Sequence, residues 1–213
     1  MQESDDIPLM FYSHCRFDSP NDVYIMMAIA RKKDHEDITN SQEIVFRKVI
    51  KNGDDIYRKY KELKILCENY RDEEGKKYNF YIYISVNPRD TEKAFFLLQK
   101  QMIGWTEEMV NGIDKSKQLK KVDDMWISAL MKSKSKRGKF QVDIDVKDEK
   151  ELKEIVKLIE EKSIMKIHMI QPTRHGYHLI TEPFDRRILE GIKDVEVKPD
   201  GQLFVEYVNN GSL

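Results

Sequence analysis

Apolar residues in the first two thirds of the chain follow two kinds of pattern. Some form short, nearly continuous runs that are typical of buried strands, such as VYIMMAIA from Val23. Others recur every three or four positions, as in amphipathic helices. In TEKAFFLLQKQM, Phe95, Leu98 and Met102 share one face, as in a helix that packs against a core. The predicted elements are strands over residues 23–33, 43–50 and 78–86 and helices over residues 54–70, 91–102 and 117–131.

The last third of the chain has a regular order of patterns. FQVDIDV predicts a strand and residues 151–162 predict a helix. IMKIHMI and GYHLIT predict two strands, residues 183–192 a short helix, and VEVKPDGQLFVEYV a strand pair around Asp200 and Gly201. The order strand, helix, strand, strand, helix, strand is typical of ferredoxin-like and RNA-recognition folds, and polymerase palms share it. We therefore predict an α+β fold in which an RRM-like (split βαβ) palm packs against an N-terminal α/β module.

Composition is that of a globular protein. The 213 residues suffice for one compact unit of one or two lobes, with 40% apolar and 35% charged residues. No apolar run reaches the roughly 18 to 20 residues that a membrane helix needs. The N-terminal segment MQESDDIPLMFY lacks the basic start of a secretory signal, so we expect a cytoplasmic protein. The two cysteines, Cys15 and Cys67, do not form a zinc-binding or disulfide pattern.

Positive charge is concentrated in one segment although the formal net charge is only −1. Residues 115–139 contain nine lysines and arginines against two aspartates, Asp123 and Asp124. A solvated helix face would explain this run, and so would a surface that follows a nucleic-acid backbone. The candidates for backbone contact are Lys132, Lys134, Lys136, Arg137 and Lys139. The predicted organisation is an N-terminal module over 1–114, a basic helix and loop over 115–139, and a palm over 140–213.

Asp143 and Asp145 are the first candidates for chemistry. They alternate with Val142, Ile144 and Val146, so both carboxylates are expected to leave the same face of one strand. Adjacent carboxylates repel each other unless a cation neutralises them, and oxygen ligands suit Mg²⁺ or Mn²⁺. The alternative is an acidic strand edge that faces solvent.

A second cluster lies in QPTRHGYHLI. Thr173, Arg174, His175 and His178 surround Gly176 at the start of a strand, where a hydroxyl, a guanidinium and imidazoles could bind phosphate oxygens. Gly176 would allow a close approach of the backbone. The histidines could instead bind a metal or be ordinary surface residues.

The order of these two clusters resembles the first two motifs of the archaeo-eukaryotic primase superfamily, which includes primase-polymerases of phages and mobile elements. The family's first motif is Asp-x-Asp or Asp-x-Glu on an apolar strand, here Asp143 and Asp145. Its second is a small residue, any residue and His, here ending in His178, and the resemblance implies that this His contacts the nucleotide's phosphates. Its third is an acidic residue that completes the metal site. Asp200 is the best match, with Glu206 and Asp194 as weaker candidates.

The upstream half also resembles this family. YIYISVNPRD is similar to a strand that ends in Asn-Pro-Arg ahead of the first motif, which implies that Asn87 and Arg89 lie at the mouth of the site. The resemblance covers roughly residues 78–208. It implies a nucleotidyltransferase that joins nucleoside triphosphates on a single-stranded DNA template with Mg²⁺ or Mn²⁺, and family analogy suggests a separate helicase as partner.

Two other function classes are open at this stage. One is a non-catalytic module that binds single-stranded nucleic acid on the same scaffold, which would need sheet aromatics to stack on bases. The other is a nuclease or a nicking replication initiator, because His175 and His178 flank Gly-Tyr. Such initiators need two histidines separated by one apolar residue and a tyrosine nucleophile on a helix. The chain has neither of those features.

Overall fold

The computed structural model describes residues 9–32, 35, 43–135, 138–163 and 166–211. The chain has an α+β fold with two antiparallel sheets. The strands are β1 (Asp22–Ala30), β2 (Ile44–Ile50), β3 (Phe80–Ser85), β4 (Arg89–Asp90), β5 (Phe140–Ile144), β6 (Ile167–Pro172), β7 (Tyr177–Thr181), β8 (Val195–Lys198) and β9 (Gln202–Val208). The helices are α1 (Leu9–His14), α2 (Asp55–Asn69), α3 (Thr91–Val110), α4 (Ser116–Leu119), α5 (Val122–Lys132) and α6 (Glu149–Lys162), with a 3₁₀ helix at Arg186–Leu189.

The first sheet has the strand order β2-β1-β3-β9, and β4 pairs with β1 at one end. Helices cover both of its faces, which explains why β1 and β3 are apolar runs and do not alternate. Phe80, Ile82 and Ile84 of β3 pack on the side of α1 and α2. Tyr81 and Tyr83 point to the opposite side, where α3 and α5 pack.

The second sheet has the strand order β6-β7-β5-β8. In chain order its elements are β5, α6, β6, β7, the 3₁₀ helix and β8, so the predicted second helix of this unit is a single 3₁₀ turn. Val142 and Ile144 of β5 pack against Ile155 and Ile159 of α6. The other face of this sheet carries the polar residues of the strands, including Asp143.

The chain crosses from one sheet to the other at residues 199–201. Sequence reasoning predicts that the segment around Asp200 joins a strand pair, but β8 and β9 belong to different sheets. The backbone N–H of Val86 donates to the carbonyl of Gly201 at 3.0 Å, and β9 then pairs with β3. The C-terminal strand thus completes the N-terminal sheet.

A polar network holds this crossing, formed by two buried side chains and one partly exposed carboxylate. The Arg89 side chain is 1% exposed, and its Nη1 and Nη2 donate to the two carboxylate oxygens of Asp200 at 2.5 and 3.2 Å. Asn87, also buried, donates to Asp200 Oδ1 at 3.2 Å and to the carbonyl of Lys139 at 3.0 Å. Arg89 Nη1 further donates to the carbonyl of Met131. The network therefore ties the crossing to the end of α5 and to the segment that leads into β5.

We expect Asp200→Ala to destabilise the fold strongly, because it leaves the Arg89 guanidinium buried without its carboxylate. The expected loss in the free energy of unfolding is about 2–4 kcal/mol, measured by urea denaturation. The matched control is Glu161→Ala, which removes an exposed carboxylate 3.6 Å from Lys157. That variant should lose less than about 0.5 kcal/mol, and equal losses in the two variants would contradict the structural role of Asp200.

Candidate functional site

A cavity of about 220 Å³ lies between the two sheets. Both sequence clusters line it, since Asp143, Asp145, Thr173, Arg174, His175 and His178 all border this cavity. Lys198 of β8 joins them from the second sheet. The wall from the first sheet is formed by Arg31, Tyr81, Tyr83 and Phe204.

Strand pairing explains why these polar side chains meet. In the second sheet Asp143 lies directly opposite His178 of β7 and directly opposite Glu196 of β8. Directly paired residues of antiparallel strands project to the same face. His178, Asp143 and Glu196 therefore form a row across three strands, on the face opposite α6.

The Asp143 carboxylate is the centre of this row. Its Oδ1 lies 3.2 Å from Nε2 of His178, and its Oδ2 accepts from the Lys198 ammonium at 2.5 Å. The same ammonium lies 3.2 Å from Oε2 of Glu196, so it bridges the two carboxylates. Nδ1 of His178 is buried, and the structure gives it no hydrogen-bond partner among the described residues.

The charges in this row stabilise each other. Burial raises the pKa of Asp143, but hydrogen bonds from His178 and Lys198 and their charges outweigh that effect and lower the pKa to about 2. Burial lowers the pKa of Lys198, but its bonds to Asp143 and Glu196 produce a net increase. At neutral pH the pair is a carboxylate and an ammonium.

The loop before β7 has its own internal hydrogen bonds. The N–H of Thr173 donates to the carbonyl of Gly176 at 2.8 Å, and the N–H of Gly176 donates to the Thr173 hydroxyl at 3.0 Å. A Cβ on Gly176 would lie 1.8 Å from the carbonyl oxygen of Ile144. The close approach that the glycine permits is thus to the end of β5. It brings this loop, which carries Arg174 and His175, beside the strand that carries Asp143.

The opposite wall is aromatic and cationic. The Arg31 guanidinium stacks over the rings of Tyr81 and Tyr83, at 4.8 and 5.1 Å from their centroids, and hydrogen-bonds the Tyr83 hydroxyl. Arg174 reaches across the cavity and donates to the Tyr81 hydroxyl at 2.6 Å. Phe204 packs edge-on to Tyr83, with ring centroids 5.9 Å apart. The hydrogen bond between Arg174 and Tyr81 is thus a direct contact between the two sides of the cavity.

Five residues that line the cavity are absent from the predicted site, and so is the acidic neighbour Glu196; the five are Arg31, Tyr81, Tyr83, Lys198 and Phe204. The alternation in VEVK shows that Glu196 and Lys198 share a face, but nothing local indicates that this face meets Asp143. Tyr81 and Tyr83 read as ordinary strand residues, and their role as a wall depends on how the two sheets pack.

Several predicted site residues lie elsewhere. Asp200, Asn87 and Arg89 form the polar network at the crossing, and the buried Asn87 and Arg89 are not at the mouth of the cavity. Glu206 accepts from Tyr60 and Lys64 of α2, at 2.5 and 3.0 Å, on the other face of the first sheet. The remaining weaker candidate, Asp194, lies next to the cavity, since its carbonyl accepts from the N–H of Asp145 at 2.9 Å.

The predicted nucleic-acid-binding residues that the structure describes do not share one surface or one set of contacts. Lys132 is exposed and lines a different cleft, between β2 and α5. The ammonium of Lys134 donates to the carbonyl of Pro199 at 2.5 Å, and that of Lys139 to the carbonyl of His14 at 3.4 Å. Lys136 and Arg137 lie outside the described residues.

The donor set at the cavity suits a hard cation but is not assembled as a metal site. In the described ranges, no three His, Cys, Asp or Glu side chains form a group that could hold a metal ion. Asp143 and Asp145 nevertheless offer carboxylate oxygens, the ligands that Mg²⁺ and Mn²⁺ prefer. The Lys198 ammonium lies between Asp143 and Glu196 and contacts both carboxylates.

Comparison of this chain with protein-family models, with curated proteins and with solved structures finds no match. No helix among the described residues has the length and apolar character needed to cross a membrane.

We expect Gly176→Ala to lower the free energy of unfolding by about 2–3 kcal/mol, because the added methyl group overlaps the backbone of β5. The matched control is Gly104→Ala in α3, where a Cβ would meet no atom within 4 Å. That change should stabilise the protein by about 0.5–1 kcal/mol, since alanine favours a helix over glycine. Thermal unfolding of both variants measures the difference, and a neutral Gly176→Ala would refute the close approach.

Proposed function

We propose that this chain is a primase/polymerase-type nucleotidyltransferase that joins nucleotides on a nucleic-acid template. The observation that carries the proposal is the meeting of the Asp143–Asp145 strand and the 173–178 segment at one cavity. These are the two clusters that resemble the first two motifs of archaeo-eukaryotic primases. Carboxylates beside a cluster of cations and imidazoles are suited to phosphoryl chemistry.

The strand order of the second sheet supports the palm assignment. Elements β5, α6, β6, β7, the 3₁₀ helix and β8 follow the order of the split βαβ arrangement, with β5 and β7 central in the sheet. Polymerase palms carry their acidic residues on such central strands. We interpret the second sheet as an RRM-like palm and the first sheet with its helices as the N-terminal module of a primase unit.

Asp143 and Asp145 would hold the divalent metal, Mg²⁺ or Mn²⁺. Glu196 replaces Asp200 as the proposed third acidic residue, because Glu196 is paired with Asp143 across the strands whereas Asp200 neutralises Arg89. A bound divalent cation would supply Lewis-acid stabilisation of the nucleotide's phosphate oxygens. Lys198 would move from Asp143 to those phosphates when the site is loaded.

The other cavity residues would position the nucleoside triphosphate. Arg174 and His175, both exposed on the loop before β7, would bind phosphate oxygens. His178, through its bond to Asp143, would orient that carboxylate. Tyr83 and Phe204, on the opposite wall, would face the sugar or base.

A template would approach along the basic segment that precedes β5. Lys132 is exposed, whereas Lys134 and Lys139 donate to backbone carbonyls and would first have to leave those bonds. We propose single-stranded DNA as the template, with a role in DNA replication in the cytoplasm. A separate helicase would open the duplex for such an enzyme.

A second candidate function is a non-catalytic module that binds single-stranded nucleic acid. Two observations favour it: the cation position between Asp143 and Glu196 is filled by Lys198, and tyrosines lie beside the cavity. Base stacking on Tyr81 or Tyr83 would need the rings to become accessible, since they are 4% and 6% exposed. Tight binding of an oligonucleotide without any dependence on metal, and without incorporation of nucleotides, would favour this function.

The direct test is incorporation of labelled nucleotides on single-stranded DNA with Mg²⁺ or Mn²⁺. We expect Asp145→Asn to reduce the rate by at least about a thousandfold, because the metal loses a ligand. Asp145 is exposed, so this change should leave stability within about 0.5 kcal/mol of wild type.

Two further variants complete this test. The double variant Asp143→Asn, Asp145→Asn should be inactive, and any activity that survived it would disprove the mechanism. The matched control, Glu160→Gln with Glu161→Gln, removes two exposed carboxylates from α6 and should be fully active.

A Lys198 variant tests the proposed metal site by metal binding alone, without a measurement of catalytic activity. We expect Lys198→Met to tighten the binding of Mn²⁺ by about tenfold, measured by calorimetry, because the ammonium no longer competes for the Asp143 carboxylate. The control is Lys157→Met, which removes a lysine that is 73% exposed on α6. Unchanged or weaker binding in Lys198→Met would contradict a cation site at Asp143.

A further inference from the structure

Helix α3 exposes an apolar stripe. Ala94 is its only side chain classed as buried, and Leu98 packs partly against the first sheet. Sequence reasoning grouped Phe95 and Met102 with Leu98 on a core-facing side, but Phe95 is 49% and Met102 38% exposed. The stripe consists of Phe95, Phe96, Met102, Ile103, Met109 and Val110. Six large apolar side chains exposed along one helix indicate an interaction site.

The spacing of the stripe indicates a helical partner. Its residues form three adjacent pairs that repeat every seven positions, at 95–96, 102–103 and 109–110. Seven residues are nearly two turns, so the pairs stack along one side of the helix over about 24 Å. A straight apolar side of this length is a surface on which another helix can lie, although its adjacent pairs, with Gln99 and Thr106 between them, differ from the three-and-four spacing of a coiled-coil seam.

The charges beside the stripe identify the partner as a second copy. Lys100 and Glu107 are exposed, lie on the same edge of the stripe and are seven residues apart. In two antiparallel copies related by a two-fold axis near Ile103, Lys100 of each copy faces Glu107 of the other. In a parallel two-fold pair, these edges of the two copies would lie on opposite sides of the interface, so Lys100 and Glu107 would not meet. The charge pattern is thus self-complementary in the antiparallel orientation only.

We propose that α3 is the interface of an antiparallel homodimer, with Ile103 next to the two-fold axis. Such an interface is isologous, so each Lys100–Glu107 pair occurs twice. The proposal rests on α3 alone and is independent of the function proposed for the cavity.

The oligomeric state tests the proposal. Sedimentation or light scattering of the full chain over a hundredfold range of concentration should show a monomer–dimer equilibrium. Ile103→Glu places a charge beside its own copy at the axis and should raise the dimer Kd at least about a hundredfold. Gln101→Glu adds the same charge on the opposite side of α3 and should leave the Kd unchanged. Thermal unfolding of the variants verifies that they fold.

Charge exchange tests the orientation. Lys100→Glu and Glu107→Lys should each raise the Kd at least about tenfold, because each creates two like-charge contacts per dimer. The double variant Lys100→Glu, Glu107→Lys should restore the wild-type Kd.

Several outcomes would overturn the proposal. A monomer throughout the concentration range would do so, as would a dimer that Ile103→Glu does not weaken or a double exchange that fails to restore pairing. A monomer that binds anionic lipid vesicles through the stripe would assign this surface to a membrane.

Discussion

The bidentate ion pair between Arg89 and Asp200 is the interaction on which the arrangement of the two sheets depends. Burying a guanidinium carries a large desolvation penalty, which is offset here by the Asp200 carboxylate and the carbonyl of Met131. Asn87 donates to the same carboxylate and so helps to hold it in place. The pair lies where the chain leaves β8 in one sheet and enters β9 in the other. Because the cavity lies between these sheets, the pair helps to hold the side with Asp143 opposite the side with Tyr81 and Tyr83.

The carboxylates of Asp143 and Glu196 can lie near each other because the Lys198 ammonium lies between them. Lys198 neutralises Asp143 and also reaches Glu196, so two carboxylates can face one cavity without strong repulsion. Any cation that binds there must compete with this ammonium. A triphosphate that attracts Lys198 would release Asp143 at the same time, and this couples nucleotide binding to metal binding in the proposed enzyme.

Local pattern was sufficient for some parts of this fold and insufficient for others. The alternation in FQVDIDV predicts that Asp143 and Asp145 share a face, and both line one cavity, although β5 ends at Ile144 and Asp145 follows it. The choice of a third acid depends on strand pairing. Asp200 follows a proline and lies in the crossing, whereas Glu196 lies within β8 opposite Asp143. Likewise, the burial of Arg89 depends on a partner 111 residues away, which no local pattern reveals.

Helix α3 is another element for which the local sequence pattern was insufficient. Apolar residues occur on more than one side of this helix, so periodicity could not decide which side packs inward. The small residue Ala94 allows the helix to approach the first sheet, and the larger pairs of the stripe are left outside. An exposed stripe of large apolar residues promotes uncontrolled association unless something covers it. A self-complementary edge of Lys100 and Glu107 would favour one geometry of association, because only the antiparallel arrangement places Lys100 of one copy beside Glu107 of the other.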